Sequence, residues 1–138
     1  MSFSTKTRDH LESLGYFSQT VEHFIPHTRI KRDLFGFGDA VALNSKANVG
    51  FKLMAIQVTS RNNISSRWRK LSDIKIVNKK TNEEELNGIR EKAIEWLKSG
   101  GGIQIYGWNS DKKKCNKGKI RQVLLENDNL IYTDIILG

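Results

Sequence analysis

Asp39 opens an otherwise apolar stretch, Ala40-Val41-Ala42-Leu43, and Gln57 and Thr59 interrupt the end of a second apolar stretch that begins at Phe51. In an extended chain residues two apart share a face, so Gln57 and Thr59 predict one polar spot at a strand end. A hairpin between the two stretches brings Asp39 to that same end. Hard divalent cations are bound by oxygen: carboxylates, amide and backbone carbonyls, and water. Asp39 supplies a carboxylate, Gln57 a side-chain oxygen and Val58 a backbone carbonyl, and Glu22 is the best second acid. Such a set suits metal-assisted phosphodiester hydrolysis, in which the ion polarises a phosphoryl oxygen and activates water. The competing reading is architectural, with Asp39 capping a strand and Gln57 a satisfied buried amide. Thr59-Ser60 as a hydroxyl nucleophile is set aside, because no histidine or lysine base is placed beside it.

The charge pattern points to the same substrate class. Lys and Arg number 23 against 15 Asp and Glu, a formal charge of +8. The excess is clustered. One cluster, with Arg61, Arg67, Arg69 and Lys70, follows the second stretch, a second begins at Lys112, Lys113 and Lys114, and Lys31 and Arg32 stand just before Asp39. Clustered cations bind polyanions by releasing condensed counterions. A pair of solvated faces, or a surface for an acidic protein partner, is the alternative. Cys115 is the single cysteine, which excludes an intrachain disulfide and fits a reducing, cytoplasmic setting, in a cell or a phage-infected host. His10, His23 and His27 have no zinc-ligand spacing with it. No apolar run approaches the 18 residues of a membrane span, and the N-terminus lacks a signal-peptide core, so no membrane partner is expected.

The elements that must position these groups read as one domain over residues 1–138. Leu11 and Leu14 at helical spacing, stopped at Gly15, predict a helix over Thr5 to Leu14. Gln19 to Ile25 reads as a strand ending at Pro26, with Glu22 in its middle. Ala40 to Leu43 and Phe51 to Thr59 form a hairpin. Ile64, Trp68 and Leu71 predict a helix capped by Asn62 or Asn63. Thr81-Asn82-Glu83-Glu84 has the pattern of a capping box, predicting a helix that starts there and carries Leu86, Ile89, Ala93, Trp96 and Leu97. Ile103 to Tyr106 returns as a strand parallel to Phe51 to Thr59, because a helical crossover separates them. Strands near Ile120 to Leu125 and Leu130 to Leu137 add a C-terminal hairpin. The expected class is α/β, a mixed central sheet flanked by helices.

The run Arg32-Asp33-Leu34-Phe35-Gly36-Phe37-Gly38-Asp39, with Ile56-Gln57-Val58-Thr59-Ser60 and the later Ile105-Tyr106-Gly107-Trp108, resembles the PD-(D/E)XK nuclease superfamily, in its small phage-type, resolvase-like or restriction-endonuclease-like branch. The resemblance spans roughly Leu11 to Glu126 and implies an αβββαβ core. It also implies a Mg²⁺- or Mn²⁺-dependent DNA endonuclease acting on branched or structured DNA, with Asp39 as a metal ligand. Gln57 stands where the superfamily usually has Asp or Glu, and Thr59 where it usually has lysine. The first change removes a negative charge from the metal site. The second removes a cation that would stabilise charge developing on the phosphate. The alternative on the same fold is therefore a catalytically inactive nucleic-acid-binding or regulatory protein. Dimerisation is common among nucleases that cut two strands, but the sequence names no interface.

Overall fold

The computed structural model describes residues 2–27, 31–48, 50–110 and 117–137. The first helix, α1 (Phe3–Ser13), is capped by Ser2, whose Oγ accepts the Thr5 N–H at 3.1 Å. Strand β1 (Phe17–Thr20) follows, then a two-residue ribbon of β2 (His23–Phe24) and β3 (Lys31–Arg32). The predicted Gln19 to Ile25 strand is thus shorter and shifted. The Val21 and Glu22 N–H groups both donate to the Asp39 carbonyl, at 2.9 and 3.2 Å, so the ladder ends there and Glu22 falls in a connector.

Strands β4 (Ala40–Leu43) and β5 (Leu53–Ser60) pair antiparallel as predicted, with Ala40 opposite Ile56. A short 3-10 turn over Arg61–Asn63 leads into α2 (Ile64–Ser72), whose N-terminus has no side-chain cap from Asn63. Residues 81–86 overturn the expected helix start. They belong to a hairpin of β6 (Lys75–Val77) and β7 (Glu84–Leu86), closed by a turn in which Asn78 Oδ1 accepts the Lys80 N–H at 2.9 Å. The third helix, α3 (Gly88–Lys98), starts instead at Asn87, whose Oδ1 accepts the Ile89 N–H at 3.2 Å. The Asn87 amide also donates to the carbonyls of Lys70 and Asp73, at 2.9 and 2.8 Å. One buried side chain caps α3 and satisfies the end of α2, which a cap at Thr81 could not do.

Strand β8 (Gly102–Trp108) then lies parallel to β5, and β9 (Gly118–Glu126) and β10 (Asn129–Leu137) form the predicted C-terminal hairpin. The result is a mixed six-stranded sheet in the order β1-β4-β5-β8-β9-β10. Alternation along β5 sends Met54 and Ile56 to the α1 side, where they pack with Leu11, Ala42, Tyr106, Trp108 and Ile120. Ala55 goes to the other side, with Phe37, Ile64, Leu71, Ala93 and Ile105 under α2 and α3. Gly107 is needed where α2 crosses β8, because a Cβ there would lie 2.2 Å from Ile64 Cδ1. Among the described residues no helix is long and apolar enough to cross a membrane.

Candidate functional site

Asp39 sits where the β4–β5 ladder gives out. Its N–H donates to the Ile56 carbonyl at 2.7 Å, and its Oδ2 accepts the Val58 N–H at 2.9 Å. Asp39 therefore engages the backbone on both sides of Gln57. The Gly38 carbonyl is turned to the Leu34 N–H at 2.8 Å, within a tight turn held by Asp33, whose Oδ1 accepts the Gly36 N–H at 2.9 Å. Gly36 takes φ +86° in that turn. Asp33 is thus occupied with the turn, and the Asp39 side chain supplies the acceptor that the next backbone carbonyl does not.

A cleft of about 390 Å³ opens between α1 and this end of the sheet. Asp39, Glu22 and Val58 line it together, joined by Thr5 and Arg8 of α1 and by Ser18 and Thr20 of β1. Glu22 reaches the cleft because its N–H and that of Val21 converge on the Asp39 carbonyl. Gln57 and Thr59 are not brought in. They share the face of Ala55, on the α2–α3 side, and are only 5% and 7% exposed. The expected oxygen set is thereby divided: Asp39, Glu22 and Val58 line the cleft, and Gln57 and Thr59 do not.

Arg8 and the hydroxyls of Thr5, Ser18 and Thr20 were not singled out from the sequence. Their signal was present: Ser4, Thr5, Arg8 and Leu11 recur at the helical period, and Ser18 and Thr20 alternate in β1. Arg8 is more than half exposed and has only long contacts, 3.8 Å to Asp9 and 3.9 Å to Glu12. Exposed pairs of this kind contribute little, so the guanidinium is free to turn to an anion. Thr7, by contrast, is spent on structure: its Oγ1 donates to the Phe3 carbonyl and accepts Trp108 Nε1–H, both at 2.8 Å. On another side of α1, His10 Nδ1 lies 3.0 Å from the Tyr106 hydroxyl. Burial pushes the Tyr106 phenol well up and the His10 imidazole down, which keeps both neutral, and neither lines the cleft.

The basic segments leave the sheet at the cleft's end. Arg61 follows β5 directly, β2 and β3 bridge the end of β1 to the start of β4, and Asn109 and Lys117 flank the β8–β9 connection beside Ser60. Arg32, Arg69 and Lys70 are exposed, and Arg61 and Arg67 half-buried. No ion pair among the described residues engages Arg61, Arg67, Arg69 or Lys70. Lys112, Lys113 and Lys114 lie outside the described residues, as does the side chain of Lys31. No group of three or more His, Cys, Asp or Glu that could hold a metal ion is gathered among the described residues. Among the described residues, the acids that line this cleft are Glu22 and Asp39. In comparisons with known proteins, no family model, curated protein or solved structure matches this chain.

Proposed function

We propose that this chain is a divalent-metal-dependent DNA endonuclease, resolvase-like, on a restriction-endonuclease-like core, with its metal site reduced to Asp39 and Glu22. The observation that carries the reading is that these two acidic residues line one cleft at the end of the sheet from which the basic segments depart. The element order α1, β1, β4, β5, α2, β8, with β8 parallel to β5, supports it because it follows the αβββαβ plan. Mg²⁺ and Mn²⁺ suit such a donor set, since Mg²⁺ is commonly held by one or two carboxylates and completes its shell from water and substrate phosphates. When bound, the ion supplies Lewis acidity at the phosphoryl oxygen.

The remaining work falls to the chain itself. Arg8 pairs with phosphate oxygens through its planar fork of donors. Thr5, Ser18 and Thr20 offer hydroxyls to the same oxygens. Lys31, Arg32 and Arg61, with Arg67, Arg69 and Lys70 of α2 and the Lys112 to Lys114 group, hold the flanking backbone. The test is cleavage of supercoiled, branched and single-stranded DNA by the purified chain with Mn²⁺. Asp39→Asn should lower the rate by about a hundredfold or more, the scale for loss of a group that stabilises charge in the transition state. If every substrate stays intact, or Asp39→Asn cuts as well as the natural chain, the reading fails.

A second reading is favoured by the placement of Gln57 and Thr59 on the far face: a non-catalytic DNA-binding protein on the same fold. It requires affinity that falls steeply with salt and is indifferent to metal and to Asp39→Asn. Metal-dependent affinity lost in that variant argues against it.

A further inference from the structure

The sheet has two outer edges, and they are finished differently. Strand β1 is only four residues long, Phe17-Ser18-Gln19-Thr20, polar after an exposed Phe17, and a short edge strand is one way natural sheets limit edge pairing. Strand β10 runs nine residues in an unbroken register with β9, contains no proline or lysine, and carries Asp134 as its single charge. That charge is already matched inside the chain. Arg121 Nε and Nη2 donate to the Asp134 carboxylate at 2.9 and 3.0 Å, and Lys119 Nζ lies 3.4 Å away. Both faces of β10 expose large apolar side chains: Ile131 (38%) and Ile135 (48%) on one, Tyr132 (45%) and Ile136 (55%) on the other. Among the described residues no strand lies beside its outer backbone groups.

We propose that β10 is the surface through which two copies of this chain associate, edge to edge and antiparallel, in a continuous sheet with six strands from each copy. A two-fold axis at a residue pairs positions equally spaced on either side of it, which keeps side chains of one face together. Centred on Thr133, the register sets Ile131 against Ile135 twice and Leu130 against Ile136 twice, and keeps the two Asp134 carboxylates off each other. Centred on Asp134, it would place like charges directly opposite, which is unfavourable. The strand is thus self-complementary in one register. A ladder about 30 Å long, covering side chains on both faces, reaches the roughly 1,000 Å² that a specific interface requires. The pairing is independent of the endonuclease reading and holds whether or not the chain cleaves DNA.

Sedimentation or light scattering of the full chain across the micromolar range should give twice the chain's mass. Ile135→Lys, at an exposed position, should return the single mass with an unchanged circular dichroism spectrum, because it sets two lysines against Ile131 across the axis. For the register, Thr133→Cys in a Cys115→Ser background places the new thiol opposite itself, within the Cα separation that a disulfide bridges. It should give an oxidised covalent dimer, whereas Asn129→Cys in the same background should not. A single mass at every concentration, a dimer untouched by Ile135→Lys, or equal crosslinking at 129 and 133 overturns the proposal. A natural chain that stays single until another protein's strand is added counts against it in the same way.

Discussion

The two faces of β5 end in different surroundings at the same end of the sheet. On the α1 side the strand finishes at Val58 beside a cleft lined by Arg8, Glu22 and Asp39, the last itself only 8% exposed. On the α2 side Gln57 and Thr59 are sealed in the sheet–helix layer, in line with Ile105 and Gly107 of β8. Next along the first of those rows stands Arg121, 5% exposed, closed by Asp134 at the sheet's edge and covered by Tyr132 at 3.7 Å. A polar residue in a strand is thus no sign of chemistry by itself. What distinguishes the faces is how closely a helix covers this end of each.

Introducing a cation on the sealed face should have the largest effect. Thr59→Lys would bury an ammonium without a partner and is expected to cost about 3 kcal/mol or more in urea unfolding, with no gain in DNA cleavage. A variant that folds as stably as the natural chain and cuts DNA faster would reverse the assignment of faces. Arg121→Ala should cost about 2 kcal/mol by the same measurement, because it removes a charged hydrogen-bonded pair while Asp134 keeps some contact with water. The hydrogen bonds from Arg121 hold the Asp134 carboxyl below the usual carboxylate range. A depressed folded pKa means that the contribution is complete above the unfolded value of about 4 and is lost as pH falls through the lower folded value. Unfolding followed from neutral to acid pH should show that loss, and Asp134→Asn should flatten it.

On the open face the effects on stability should be smaller. Asp39→Asn retains an oxygen beside the Val58 N–H, so it should cost less than the roughly 1–2 kcal/mol of Asp39→Ala, which leaves that donor without its acceptor, while cleavage falls by about a hundredfold or more. Equal destabilisation by both would mean that the carboxylate charge, not the hydrogen bond, holds the strand end. Arg8→Ala should change stability by no more than about 0.5 kcal/mol, the range for exposed pairs and ordinary surface changes, yet weaken DNA cleavage and flatten its salt dependence. Chemical denaturation and a salt titration on the same preparation separate those two outcomes.

Much of this architecture can be read from residue patterns. The apolar runs at Ala40 to Leu43 and Phe51 to Thr59, and the helical stretch separating the latter from Ile103, lead to the antiparallel β4–β5 pair and the parallel β8. The Leu130 to Leu137 run gives β10 its place in the terminal hairpin. Two boundaries escape the sequence because a tertiary contact decides them. Asn87 outcompetes the Thr81 capping pattern by also serving the carbonyls at the end of α2. The Asp39 carbonyl ends β1 by taking two N–H groups at once. The site divides along a similar line. A period of two tells that Gln57 and Thr59 lie together, but which face is covered depends on where α1 and α2 come to rest. The exposure of Ile131, Ile135 and Ile136 is equally invisible in a sequence whose alternation there resembles that of a buried strand.

Trp68 of α2 meets Tyr132 of β10 edge to face, with ring centroids 4.8 Å apart. The other two indoles are anchored elsewhere, Trp96 through Nε1–H to the Gly102 carbonyl and Trp108 to Thr7 on α1. The chain thus contains three separate optical probes, two on the helices of one layer and one in the sheet. With Trp96 and Trp108 replaced by phenylalanine, the emission of Trp68 would follow the peeling of the C-terminal hairpin alone, and so time that event apart from the melting of the body beneath it.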